Sequence, residues 1–510
     1  MCGGKGLIRN KKFIANTFLL TAVSLVMRAV GVSFNVYIAN KIGANGMGLF
    51  SLIMSVYAFG VTLACSGINL ASTKIVSEEL AVGSYGGVVK CIRMSLIYSL
   101  IFGSMATLII FFGANFFGNV FLGDGRTVRP LMILSLSLPC VSMSSAVGGY
   151  FIAVGRVYKN ALVQLLEQFF RVAGCVAFLN LYGLNNAETA CNLVVLSGII
   201  AEILSFILIM LLLKGDLKKY KKASLSENIL KRILGVSIPI AISSYVRSAL
   251  STIEHTLIPK GLRKYGGGKD EALSVYGVVH GMVMPIIFFP SAILCAFSSL
   301  LMPEITMYHK VGDAKRIKNA IEKSLFIALT FSLGTSGILY FFAEEIGLLI
   351  YKNSQAAHFL KILAPLAAIM YLDGVVDAIL KGLNQQVYSM GYNIFESAIS
   401  VLLLFTYLPI KGIDAYILIL YITEGINAFL SINRLIKVAD FNIYPVRWTL
   451  VPTAAIVSSV YFVKGIDIPL TNSSGLVVSI FLSVLIYFLV IFLYTSKGHK
   501  TLVAKKLVLW

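Results

Sequence analysis

Charge is what this sequence has least of. Of its 510 residues only 13% are Asp, Glu, Lys or Arg, whereas charged side chains make up about a quarter of a soluble globular chain. A soluble globular protein is thereby excluded, and the 58% of apolar residues marks a polytopic membrane protein. Metal and disulfide frameworks are missing too. The seven cysteines (Cys2, Cys65, Cys91, Cys140, Cys175, Cys191, Cys295) are scattered, mostly within apolar runs, and no pair has ligand spacing. They read as packing residues. No phosphate-binding glycine loop with its lysine and no nucleophile elbow occurs; Gly266-Gly267-Gly268 is a plain loop. No polar stretch is long enough for an ATP-hydrolysing domain. No enzyme activity and no cofactor are expected, and the energy source must be Na+, H+, the membrane potential or the substrate's own gradient.

What is present is a series of apolar runs near the 20 residues that a bilayer requires. Fourteen occur, at roughly 14–38, 49–72, 91–113, 130–153, 161–180, 190–213, 233–256, 275–302, 324–343, 358–380, 391–410, 413–433, 448–464 and 475–495. The first follows a basic arm, is too long for a signal-peptide core and lacks a small-residue cleavage site, so it reads as a retained helix. Pro139, Pro239, Pro285, Pro290, Pro365 and Pro452 lie within runs, where each frees backbone groups and favours a kink or hinge.

The net charge of +20 is spread over short loops, which argues against a nucleic-acid partner and for orientation in a membrane and contact with its anionic lipids. With the N-terminus in the cytoplasm, inside segments hold 29 Lys and Arg against 11 outside. The protein is thus expected in the cytoplasmic membrane with both termini in the cytoplasm. One outside loop resists, since residues 259–274 hold Lys260, Arg263, Lys264 and Lys269.

The basic stretch 214–232 separates six runs from the next six. At an offset of 229, Val82-Gly83 falls on Val311-Gly312, Ser95 on Ser324, Leu131-x-Ile133-Leu134 on Leu360-x-Ile362-Leu363, and Glu167 on Glu396. Nearer the start the offset is 219 and pairs Arg28 with Arg247. An even number of helices per half makes the repeat parallel, with the substrate site expected between the lobes. The expected architecture is all-α: an N-lobe at 1–213, a cytoplasmic linker at 214–232, a C-lobe at 233–433, and two further helices with a tail at 434–510.

Charges inside the runs are costly and mark functional candidates. Arg28 sits mid-helix, with Ser24, Gly31 and Asn35 on its face at helical spacing. Arg247 has Ser251 and Glu254 on its own face. Two guanidinium forks suit a phosphate or pyrophosphate, so Arg28, Arg247, Asn35, Ser24 and Ser251 are the candidate headgroup residues; the alternatives are burial of Arg28 against a carboxylate of another helix and a structural pair of Arg247 with Glu254 or another carboxylate. Glu167 and Arg171 have the spacing and order of an ordinary helical ion pair. Asp373, Asp377 and Lys381 form one stripe, either a cation or proton site or an Asp377–Lys381 pair. With Glu254 and Glu396, Asp373 and Asp377 are the ion-coupling candidates, whereas Glu202, Glu424, His255 and His280 are weaker ones.

Some motifs carry a family resemblance. They are Arg28-Ala-Val-Gly31 with Ile42-Gly43-x-x-Gly46-x-Gly48, then Glu254-His255-Thr256-Leu257-Ile258-Pro259. Phe288-Phe289-Pro290-Ser291 follows, running to Leu301-Met302-Pro303-Glu304. In these the chain resembles the polysaccharide-type flippases of the multidrug/oligosaccharidyl-lipid/polysaccharide exporter superfamily, in particular the stage V sporulation protein B and lipid II flippase groups. The resemblance implies outward movement of a lipid-linked sugar or peptidoglycan precursor by alternating access, in cell-wall or spore-cortex synthesis. It also implies a headgroup role for Arg28 and a lipid-tail groove at the last two helices. A second family arginine falls on Phe34, its neighbouring acid on Asn35 and another arginine on Pro285, so a less cationic cavity is expected. A monomer is expected, with cell-wall synthesis proteins as candidate partners. The rival functions are an ion-coupled multidrug exporter of the same fold and a non-transporting membrane scaffold.

Overall fold

The computed structural model describes residues 3–65, 67–182, 187–218, 228–466 and 472–507. Within these the backbone is helical almost throughout and contains no strand, as it must where lipid offers no hydrogen-bond partner to N–H and C=O groups. The chain forms two compact units, Met1–Gly281 with Ser397–Tyr416, and Met282–Glu396 with Ile417–Trp510.

The first unit contains helices α1 (Gly3–Cys65), α2 (Ile68–Ala81), α3 (Tyr85–Asn115), α4 (Val128–Ser135), α5 (Leu138–Ala153), α6 (Val157–Tyr182), α7 (Ala187–Leu217), α8 (Ile229–Tyr265) and α9 (Lys269–Tyr276). The second contains α10 (Met284–Phe288), α11 (Ser291–Val311), α12 (Ala314–Phe341), α13 (Ala343–Tyr351), α14 (Ser354–Gly382), α16 (Val451–Lys464) and α17 (Ser473–Leu507). Helix α15 (Gln386–Val438) contributes to both. Wider π-turns occur at Phe116–Leu122, Gly277–Val283 and Val446–Leu450.

Among the described residues twelve helices are long and apolar enough to cross a bilayer, thirteen if the bent α4–α5 pair counts as one span. Two of them break at a glycine, α1 at Gly43 (φ 69°) and α15 at Gly412 (φ 62°), so each consists of two helical limbs. Only two residues separate the spans ending at Phe288 and beginning at Ser291. Twelve or thirteen spans, two of them in two limbs, are consistent with the roughly fourteen crossings that the apolar runs lead one to expect. The prolines fall where helices restart: Pro139, Pro285 and Pro452 in first turns and Pro290 as an N-cap, positions whose missing N–H costs nothing. Pro239 and Pro365 alone of the six lie in helix interiors.

The repeat is written in the backbone. Left-handed residues close helices at Gly83 and Gly312, at Gly123 and Lys352, and at Gly155 and Asn384, each pair 229 apart. The hydrogen bonds match as well. Ser84 N–H donates to Glu79 O at 2.9 Å and Asp313 N–H to Tyr308 O at 3.1 Å. Asp124 N–H reaches Gly118 O at 2.8 Å, and Asn353 N–H reaches Gly347 O at 3.3 Å. Ser84 and Asp313 then cap the next helix from equivalent positions, satisfying donors that a helix start leaves open.

In the first unit a close crossing joins the returning limb of α1 to α9. A Cβ on Gly48 would lie 2.1 Å from Leu273 O, and one on Gly277 would lie 2.0 Å from Ala44 O. Glycine is what lets these backbones touch.

The basic loop that broke the charge rule has a structural use. Lys260 Nζ donates to Val120 O at 3.0 Å and Arg263 to Gly123 O at 3.1 Å, at the C-terminal end of the π-turn that follows α3. Cations are favoured there by the helix dipole. Asp124, fully buried, takes Arg126 at 2.7 Å and Lys269 at 3.2 Å, and Arg126 also meets Asp270 at 3.1 Å. Burial alone would raise the Asp124 carboxyl, but hydrogen bonds from Arg126 and Lys269 outweigh it and hold the carboxyl below its ordinary value.

Candidate functional site

Two cavities lie side by side in the first unit and share Met54 as a wall. The first, of about 290 Å³, is lined by Gly31, Asn35, Tyr57, Gln168, Arg171 and Glu202 among others. Its polar wall is one network. Arg171 reaches Glu167 at 2.7 Å and Glu202 at 3.5 Å. Tyr57 donates to the other Glu202 oxygen at 2.8 Å, and its hydroxyl also lies 2.8 Å from Ser137 Oγ. One acceptor and one donor remain unspent, because Asn35 Oδ1 and Arg171 Nε are buried without a partner among the described residues. Such groups are costly to leave bare and suit a polar ligand in the cavity.

The predicted α1 stripe divides at this cavity. Gly31 and Asn35 line it, whereas Arg28 and Ser24 do not; they stand one and two turns earlier on that face. Arg28 is half-buried and Ser24 exposed. The Glu167–Arg171 pair forms at its helical spacing and extends through Glu202 into the cavity wall.

The second cavity, of about 280 Å³, is lined by Ser51, Ser55, Ser248, Ser251, Thr252 and His255, with Tyr276 and His280 closing it. His255 Nδ1 lies 3.0 Å from Tyr276 OH and His280 Nε2 lies 2.6 Å from Tyr416 OH, and the two imidazole centres are 4.8 Å apart. Ser251 is thus a wall residue, and Arg247, exposed, stands one turn earlier on α8. Glu254 accepts a hydrogen bond from Ser400 on α15. Glu396 lies one turn before Ser400 on that helix.

In the second unit the Asp373–Asp377–Lys381 stripe contains the expected Asp377–Lys381 ion pair. Asp377 takes Lys381 at 3.0 Å and a hydrogen bond from Ser389. Asp373, 8% exposed, accepts a hydrogen bond from Asn427 Nδ2 at 3.0 Å, and Ser431 lies beside it. Asp373 Oδ1, Asn427 Oδ1 and Ser431 Oγ are all buried without a partner. Three bare oxygens from α14 and α15, one of them a carboxylate's, are a donor set for a proton or a hard cation.

Tyr57, Ser137 and Asn427 had no signal in the sequence, because each is recruited by a helix distant along the chain. A buried tyrosine needs a partner for its hydroxyl, which is the one general hint that Tyr57 offers.

An all-α bundle of about fourteen crossings, built as an internal repeat with polar cavities within the bilayer span, defines a multi-pass membrane transporter of the multidrug/oligosaccharidyl-lipid/polysaccharide exporter fold. The polysaccharide biosynthesis protein family matches residues 13–269, and the chain belongs to that family. The MatE family matches residues 265–406. Stage V sporulation protein B of Bacillus subtilis is 27% identical over 379 residues, 73% of either chain. The lipid II flippase MurJ of the same organism is 23% identical over 462 residues, 83% of either chain. A solved structure of lipid II flippase MurJ in an inward closed conformation shares the fold, with a TM-score of 0.72 at 13% identity, covering 95% of this chain and 99% of that one.

Proposed function

We propose that this protein is a flippase for a lipid-linked oligosaccharide or peptidoglycan precursor, working by alternating access in the cytoplasmic membrane with both termini inside. It is a transporter and not an enzyme, and it acts as a monomer that contacts the cell-wall synthesis machinery through its substrate. The observation that carries the reading is the pair of guanidinium groups that a sequence offset of 219 aligns. Arg28 and Arg247 each stand on a face of small and polar residues leading to a cavity with unspent hydrogen-bonding groups. Stage V sporulation protein B and lipid II flippase MurJ among its relatives support this substrate class. Arg28 and Arg247 take the diphosphate, aided by Asn35, Ser24 and Ser251. Asp373 takes the coupling Na+ or H+ with Asn427 and Ser431, and Glu254, Asp377 and Glu396 are secondary candidates for it.

Native mass spectrometry of the purified protein tests the headgroup site. Undecaprenyl-diphosphate-linked precursor should give a specific adduct with the wild type, and Arg28→Ala and Arg247→Ala should each weaken it at least tenfold. Equal adducts on all three proteins would refute the diphosphate site. One observation favours a second reading, an ion-coupled multidrug exporter: the first cavity is lined by the Glu202 carboxylate, which Arg171 approaches only to 3.5 Å. That reading predicts saturable binding of organic cations and indifference to the two arginine substitutions.

A further inference from the structure

The second cavity has a chemistry of its own. None of the lining side chains named above is an acid, a lysine or an arginine, so a cation or an anion would enter it without compensation, which is unfavourable in a low-dielectric setting. A lipid chain would be a poor occupant of a wall of hydroxyls and imidazoles. At about 280 Å³ it lies just below the roughly 300–1,000 Å³ of pockets for drug-sized ligands, a size for one ring. The fitting occupant is neutral, compact and rich in hydroxyls.

The hydrogen-bonding capacity is also unspent. Ser55 and Thr252 satisfy backbone carbonyls within their own helices, whereas Ser51, Ser248 and Ser251 make no side-chain hydrogen bond to described residues. Each imidazole engages one tyrosine through one nitrogen, leaving His255 Nε2 and His280 Nδ1 without a protein partner among the described residues. An imidazole nitrogen and a serine hydroxyl can each accept or donate according to tautomer and rotor, which suits sugar hydroxyls that do both.

Position completes the argument. Ser248 adjoins Arg247 and Ser251 lies one turn further, about 5.4 Å along the axis. From there the α8 face continues to Thr252 and His255. A diphosphate at Arg247 would place the group bonded to it at this opening.

We infer that the Ser51–Ser248–Ser251–His255–His280 cavity is the subsite for the sugar ring joined directly to the diphosphate of the transported lipid. This rests on the flippase reading above and adds what that reading lacks, a site that distinguishes a glycosylated carrier from a bare one.

The test uses full-length protein in detergent and two probes in native mass spectrometry: undecaprenyl diphosphate carrying one N-acetylhexosamine, and undecaprenyl diphosphate alone. The wild type should bind the sugar-bearing lipid about tenfold more tightly. The Ser51→Ala/Ser248→Ala double variant should lose that preference while binding the bare lipid as the wild type does, and His255→Gln should shift the same way. Equal wild-type affinities would overturn the inference without any variant. So would a double variant that weakens both lipids alike. Failure of the diphosphate reading looks different: Arg28→Ala and Arg247→Ala would leave both lipids bound while the sugar preference persisted.

Discussion

Lys269 Nζ stands 3.2 Å from Asp124 Oδ1, tying the first residue of α9 to the turn that precedes α4. With Lys260 and Arg263 on the carbonyls of Val120 and Gly123, it explains why residues 259–274 carry cations on the side that the charge bias assigns to the exterior. Their partners are built into the fold, so they are spoken for as structural groups. The positive-inside rule weighs loops by count and cannot see such partners.

Asp124 should therefore be a stability residue. Breaking a fully buried ion pair from one side costs roughly 3–5 kcal/mol. Since Arg126 and Lys269 are partly exposed, Asp124→Asn is expected to cost about 2 kcal/mol. It should lower the apparent melting temperature in detergent by several degrees. Asp270→Asn, at a side chain 68% exposed, should cost under about 1 kcal/mol.

The same carboxylate sets a pH dependence. Its folded-state pKa is depressed, so its contribution is fully present above the ordinary aspartate value of about 3.9. It is lost as pH falls through the lower folded value. Thermal melts from pH 7 down to pH 3 should show a wild-type loss below about pH 4 that is smaller in Asp124→Asn. Identical acid profiles would remove Asp124 from this role.

How much of this was legible beforehand depended on range. Apolar runs gave the crossings, and short matches at offset 229 gave the repeat that the left-handed caps at Gly123 and Lys352 or Gly155 and Asn384 also obey. Pairs at helical spacing were readable as well, Glu167 with Arg171 and Asp377 with Lys381. Glu202 and Tyr57 meet across 145 residues and Asn427 meets Asp373 across 54. Periodicity within one helix carries no information on which distant helix packs against it. Two serines and a histidine on α8 likewise look ordinary until Ser51 and His280 close the cavity around them.

Asp373→Asn separates coupling from folding. Removing a buried charge that is not in a close ion pair is often neutral or stabilising, so the variant should melt at or above the wild-type temperature. It should bind the lipid headgroup normally yet lose any stimulation of transport by an inward Na+ or H+ gradient. Retained stimulation would move the coupling site elsewhere, with Glu254 the next residue to test.

The α1–α9 crossing should tolerate no side chain. Gly277→Ala places a Cβ 2.0 Å from Ala44 O and 2.4 Å from Gly48 N, and overpacking of this kind costs typically 1–3 kcal/mol. Gly374→Ala, where nothing lies within 4 Å, should instead stabilise α14 by about 0.5–1 kcal/mol. Thermal melts of the two variants should shift in opposite directions.

The central claim is movement of a lipid-linked headgroup across the bilayer. Proteoliposomes holding a labelled undecaprenyl-diphosphate sugar in the inner leaflet, with a membrane-impermeant reagent outside, measure it directly. The account predicts headgroup exposure well above that of empty liposomes with the wild type, and at least tenfold slower exposure with Arg28→Ala or Arg247→Ala. Exposure no faster than in empty liposomes under an imposed Na+, H+ or voltage gradient, or equal rates for all three proteins, would contradict it.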